Sequence, residues 1–377
     1  MTQFTHLRLE NWRNFRHIDT QLRRRVFIVG PNASGKSNLL DVFRFLRDVA
    51  EPEGGFQRAV KARGGLSHLR CLHARRQPDV TVDVDALIDD EQWSYLLEFS
   101  QDPQRNPIVK REIIKKNDEI ILSRPDAEDE NDRKRLEQTY LEQVTANRAF
   151  RQLADFFAQV KYLHIVPQLV RDTDRFRATP HDPYGSDFLE QIAITPKRTL
   201  DYRLRRINAA LQVAVPQLER LDLGRDDRGV PHLKGLYKHW RPNAGWQTEE
   251  DFSDGTLRLI GLLWALLDGT APLLLEEPEL SLHAGVVRYI PAVMARAGRK
   301  TLRQVIISTH SADLLADESI APEEVLLLEP SEEGTRVRLA SKDSQVVALL
   351  EGGLPIAEVV LPITAPAESA QLALFGD

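Results

Sequence analysis

The feature that most limits what this chain can fold into is Gly30-Pro31-Asn32-Ala33-Ser34-Gly35-Lys36-Ser37, followed by Asn38. It matches the pattern G-x-x-x-x-G-K-[ST]. The apolar run Val26-Phe27-Ile28-Val29 precedes it, and a helix is expected from Lys36 to about Asp48. In that strand-loop-helix setting, successive backbone N–H groups and the helix N-terminus cradle phosphates. Lys36 would reach the β- and γ-phosphates, and the Ser37 hydroxyl would ligate Mg²⁺. The expected class is α/β, built on a P-loop NTPase core.

Composition narrows the rest. A chain of 377 residues has room for two or three domains. Its net charge of -6 excludes a basic nucleic-acid coat but leaves a local basic face possible. Cys71 is the only cysteine, so neither a disulfide framework nor a multi-cysteine zinc site is available. The first residues carry no apolar signal core, and no run reaches about 18 apolar residues. The longest such run, Leu257–Leu267, is broken by Arg258 and stops at Asp268, which suits a buried helix. The expectation is a cytoplasmic globular protein with no membrane association.

Along the chain, strands are expected before the P-loop and again at Val80–Ile88, Trp93–Phe99, Ile108–Ile114 and Glu119–Leu122, as an antiparallel sheet. Segment 51–78 reads as an irregular loop region and 126–135 as a solvated charged run. Leu136, Tyr140, Val144, Leu153, Phe156, Phe157 and Val160 fit a helical stripe. A helix is expected near Leu200–Gln212, and loops around a short strand over 223–247. Then follow a helix (Thr256–Leu267), a strand (Leu273–Glu276), a helix (Ala284–Ala297) and strands at Gln304–Ser308 and Glu324–Leu328. From Pro355 onward no period is sustained, so a tail is expected.

Two of those strands end in chemistry. Leu273-Leu274-Leu275 runs into Glu276-Glu277-Pro278, and a buried strand that delivers acids at its C-terminal end marks the ligand edge of an α/β sheet. One acid would hold the Mg²⁺ shell and the next would polarise the attacking water. Gln304–Ser308 leads to Thr309-His310, where the histidine would donate to a γ-phosphate. Asp251-Phe252-Ser253-Asp254-Gly255-Thr256 opens the helix at 257, where Ser253 or Asp254 serves as a cap or the start as an anion site.

GPNASGKSN, DFSDGT, LLLEEPELSLH and IISTHS, in that order, resemble the ABC-type ATPase heads of the RecF/SMC class, and most of all the stand-alone RecF-like ATPases often described as AAA-type. The resemblance covers about residues 1–100 and 240–345. It implies an ABC-ATPase head with an antiparallel β subdomain and a short helical insertion. It implies ATP and Mg²⁺ as cofactors, with Ser37 and Glu276 on the metal. Ser253, Gly255 and Thr256 would be the signature segment, reaching the γ-phosphate held by a second copy in an ATP-dependent homodimer. Glu277 would be the catalytic carboxylate, Glu279–His283 the D-loop and His310 the switch histidine. Glu276 stands where many ABC ATPases have Asp. Gln57 is a candidate for the Q-loop residue.

The resulting division is 1–100 and 241–345 for the two parts of the head, 101–240 for a β/helical insertion and 346–377 for a tail. The implied function is a slow ATPase switch in DNA maintenance or antiphage defence, working with a separately encoded nuclease-like effector. The alternative is a nucleotide-gated scaffold or DNA-binding protein that scarcely hydrolyses. The Arg13–Arg25 cluster and the cations of 197–206 are either a DNA-binding face or ordinary surface charge. The end of the chain, Gln371, Leu372, Leu374 and Phe375, either docks on a sliding clamp or folds back onto its own head.

Overall fold

Phe4, Leu7 and Leu9 are all buried along β1 (Gln3–Trp12), where a bulge between Phe4 and His6 restores the alternation. The computed structural model describes residues 2–51, 54–74, 79–172, 182, 184–241 and 245–365. After β1 come β2 (Phe15–Gln21), β3 (Arg25–Val29) and α1 (Lys36–Ala50). Within segment 51–78, the described residues 54–74 are more ordered than expected. Of the short helices α2 (Phe56–Ala62) and α3 (Leu66–Leu69), α2 starts after Gly54-Gly55 and is separated from α3 by Gly64-Gly65; Phe56, Val60 and Leu69 are buried. The expected strands follow as β4 (Val80–Ile88), β5 (Glu91–Gln101), β6 (Pro107–Lys116) and β7 (Glu119–Arg124).

The stripe over 136–160 is not one helix. Besides α4 (Ala127–Asn131), only α5 (Arg151–Ala158) is α-helical there, with 3-10 turns at Arg133–Glu137 and Asn147–Ala149. The cause is a buried ion cluster. Arg124 bonds Glu112 and Asp129, all three with fully buried side chains, and also donates to the carbonyls of Arg135 and Gln138. Tyr140 N–H donates to Glu112 at 2.9 Å. Backbone groups that a helix would pair internally are thus taken by side chains. The charged run 126–135 is correspondingly not all solvated.

The chain then forms β8 (Lys161–Leu163), α6 (Pro167–Arg171), α7 (Phe188–Ala193) and α8 (Lys197–Ala214). Where loops around a single short strand were expected, β9 (Leu218–Arg225), β10 (Pro231–Tyr237) and β11 (Trp246–Thr248) make a small sheet. α9 (Asp254–Leu267) and β12 (Leu273–Glu276) follow. The helix expected at 284–297 is two, α10 (Ala284–Val287) and α11 (Ile290–Thr301), because Pro291 has no N–H to continue the ladder. β13 (Val305–Thr309), α12 (Ala312–Leu315), β14 (Val325–Ser331) and β15 (Gly334–Leu339) come next. The last helices are α13 (Ser344–Glu351) and α14 (Ile356–Ile363). The region after Pro355 is therefore not tail throughout: Ile356, Val359 and Val360 of α14 are buried.

Two units emerge. The first comprises residues 1–161, 270–274 and 302–377, the second 162–269 and 275–301. Unit 1 holds an antiparallel sheet of order β2-β1-β4-β5-β6-β7. Its other sheet has the order β15-β14-β3-β13-β12-β8, whose last two strands run on into unit 2. β3 pairs in parallel with β13 and β14, as an α/β core requires. Phe4 meets Phe43 and Phe156 at 4.8 Å each, joining the first sheet to α1 and α5. Unit 2 packs Ile165, Phe188, Ile207, Leu211, Leu233 and Ile260 around its small sheet, of order β11-β10-β9.

Candidate functional site

In unit 1 the loop between β3 and α1 is held open by its backbone. Gly35 sits at φ +97, and a side chain there would come within 2.2 Å of Asn14 Nδ2. Lys36 is buried, and its Nζ donates to the carbonyls of Gly30 at 2.9 Å and Pro31 at 3.2 Å. Ser34 Oγ is buried with no hydrogen-bond partner among the described residues. Asn32, Ala33 and Ser37 are exposed, while Pro31 and Asn38 are half-buried. These donors, gathered at the start of the 15-residue α1, fit a triphosphate.

Asn14 braces this loop from the β1–β2 turn. Its Nδ2 donates to Ser34 O and to Thr335 Oγ1, both at 2.8 Å, and its Oδ1 accepts from Asn38 at 2.7 Å. Thr335 Oγ1 also donates to Ser34 O, and Trp12 Nε1 donates to Asn38 O. No motif signals Asn14, because its partners are dispersed from Ser34 to Thr335. Behind the loop, Asp41 of α1 collects Arg13 and Arg63 at 2.9 Å, with Arg44 at 3.9 Å. Burial works to raise the Asp41 pKa, but Arg63, Arg44 and Arg13 outweigh it and hold the carboxyl below its ordinary value. Arg13 and Arg63 are thus engaged in the fold.

His310 follows β13 directly. Thr309 pairs with Val29 in the parallel register, so the exposed histidine leaves its strand level with the start of the P-loop. Gln57 lies elsewhere, its amide donating to the carbonyls of Pro107 and Glu137 at 2.7 Å each, which fits a structural post rather than a nucleotide contact.

Unit 2 gathers the remaining motif residues. Glu276 and Glu277 are half-buried, and Glu277 has the left-handed φ of 43°, an uncommon conformation for a side-chain-bearing residue. The Tyr162 hydroxyl donates to the Glu276 carboxylate. Ser253 caps α9, its Oγ accepting from Thr256 N at 3.2 Å. A Cβ on Gly255 would stand 2.5 Å from the carbonyl of Ser281, so the start of α9 packs tightly on the Glu279–His283 loop. Arg171 ties the same helix start down through Phe252 O and Asp254. Arg258 lies beside Asp254 and Glu277; burial lowers its pKa against the pull of both carboxylates. Its signal was the one charge interrupting an apolar helix. The terminal Gln371, Leu372, Leu374 and Phe375 lie outside the described residues.

β3, with its P-loop, lies inside a sheet between two parallel partners, and the fold is that of an SMC-like ABC-type ATPase head. Two solved structures share this fold. One, an SMC head bound to the C-winged helix domain of ScpA, matches with TM-score 0.54 and 14% identity over 89% of this chain and 97% of its own. The other, an Smc head with an extended coiled coil bound to the C-terminal domain of ScpA derived from Pyrococcus furiosus, matches with TM-score 0.51 and 12% identity, covering 93% and 99%. No curated protein matches the chain. The chain belongs to the family described as AAA domain, putative AbiEii toxin, Type IV TA system, which matches residues 25–317. Among the described residues no helix is long and apolar enough to cross a membrane.

Proposed function

We propose that this chain binds and slowly hydrolyses ATP, and that nucleotide closes two copies into a dimer that signals to DNA or to a separately encoded effector. The observation that carries the reading is the P-loop itself: a buried Lys36, a left-handed Gly35 and an orphan Ser34 hydroxyl at the start of α1. In this reading Gly30–Asn38 hold the phosphates, and Ser37 and Glu276 hold Mg²⁺. Bound Mg²⁺ supplies charge neutralisation at the phosphates. Glu277 takes the proton of the attacking water, and His310 donates to the γ-phosphate. Ser253, Gly255 and Thr256 serve the nucleotide of the second copy. Gln168, exposed on α6 just after β8, replaces Gln57 as the Q-loop candidate, because β8 lies next to the acid-bearing β12 in the sheet. The family and fold support a role in genome maintenance or antiphage defence; the clamp-docking tail stays part of the proposal.

A nucleotide-gated scaffold is the second reading. It is favoured by Tyr162, whose hydroxyl engages the longer carboxylate at 276. Single-turnover hydrolysis by wild type and Glu277→Gln separates the two. A loss of about 10²–10⁴-fold is expected for a general base, and equal rates would remove the enzyme reading.

A further inference from the structure

The β10–β11 hairpin of unit 2 displays an aromatic and cationic cluster that the ATPase chemistry does not use. Trp240 is 78% exposed, an unusual position for the largest side chain. The His239 ring stacks on it at 5.7 Å with 26° between planes, and the Arg241 guanidinium lies 4.3 Å from its centroid. The arrangement is built into the backbone: Arg241 N–H donates to His239 Nδ1 at 3.0 Å, which fixes the imidazole against the indole. On the same hairpin Trp246, 39% exposed, carries Arg220 of β9 at 5.1 Å. Lys238 is exposed beside this cluster.

The charge of this region runs against that of the chain. Residues 197–248 contain eleven Lys and Arg against five Asp and Glu, a net +6 in a protein of net charge -6. α8, which packs on β9, contributes Arg205 and the pair of Tyr202 with Arg206, whose ring and guanidinium are 5.8 Å apart. A positive surface attracts a polyanion, and exposed indoles offer flat faces to unpaired bases. A double helix hides those base faces; a single strand presents them. A protein partner would find the rings but has no need of the excess positive charge.

We propose that the β10–β11 hairpin binds single-stranded nucleic acid, stacking a base on Trp240 and holding phosphates with Arg241 and Lys238. The proposal rests on the reading of this chain as a nucleotide switch that acts on DNA, and it names where and in what form the strand is held. The full chain is titrated without nucleotide into a labelled oligothymidylate of about 16 nucleotides and into a duplex of equal length, with anisotropy as the readout. Wild type is expected to prefer the single strand. Trp240→Ala should raise its Kd by about tenfold or more, whereas Trp240→Phe should stay within about threefold because a stacking face remains. Arg241→Ala should reduce the salt slope by about one.

ATP affinity measured on the same Trp240 and Arg241 variants should be unchanged, which shows that they fold. Lys36→Ala separates the two ideas, since it should lose ATP but keep the strand. A wild type that binds the strand but not ATP would sink the switch and leave the hairpin standing. A wild type that ignores the single strand at low salt overturns the proposal, leaving the exposed indole to a protein surface. Unchanged Kd values for Trp240→Ala and Arg241→Ala overturn it equally.

Discussion

Asn14 reaches Ser34, Asn38 and Thr335 with one amide, and its own carbonyl accepts from Thr335 N at 2.8 Å. Asn14→Ala leaves Ser34 O with one donor fewer and the Asn38 amide unpaired by it. Unfolding in urea should show a loss of about 1–3 kcal/mol, and calorimetry a several-fold weaker ATP affinity. Lys36→Ala acts differently: the loop keeps its shape but loses its cation. ATP affinity should fall by at least about tenfold, the cost of one charge-assisted contact. Asp41 gives a pH signature. Its pKa is depressed in the fold, so the stability it contributes is present above the ordinary carboxylate pKa of about 4 and is lost as pH falls through the folded value. Asp41→Asn should therefore be less stable than wild type at neutral pH, with the gap closing in acid; urea midpoints across pH 2–7 read it.

At the scale of elements, the tightest constraint is where α9 begins. A methyl group at Gly255 would press on the backbone carbonyl of Ser281, which cannot turn aside as a side chain can. Gly255→Ala should lower the urea midpoint by an amount equivalent to about 1–3 kcal/mol. Elements whose apolar residues alternate were legible beforehand: β4 is buried at every second residue from Val80 to Ile88. So was the P-loop, since its spacing is local and chemically restrictive. The segment 136–160 was not, because its conformation is decided by Glu112 and Arg124, which lie outside it. The small sheet of unit 2 was obscured by glycine, proline and charge, and shows itself only in its cross-strand pairs, such as Leu236 with Arg220 and Trp246. α14 is only eight residues long, too short to impose a visible period.

For the whole molecule, the test of the proposed switch is assembly. Glu277→Gln should bind ATP, slow the attack of water and accumulate dimer, so light scattering with ATP and Mg²⁺ should show about twice the nucleotide-free mass. A mutant that stays monomeric in saturating nucleotide would contradict the closing step. The family likeness spans both units, since the matched residues 25–317 run from β3 through the small sheet to just past α12.

The position of β3 has a consequence for how the protein comes into being. Its two neighbours in the sheet, β13 and β14, are both made about three-quarters of a chain length later. On a ribosome adding about 5–20 residues per second, the P-loop strand waits on the order of 15–60 s for its first partner. Val26, Phe27, Ile28 and Val29, all buried in the finished protein, are an unpaired apolar strand throughout that interval. The nascent chain is accordingly a substrate for chaperones before it is a receptor for nucleotide. Synthesis interrupted before Val305 leaves a P-loop strand with neither of its two parallel partners.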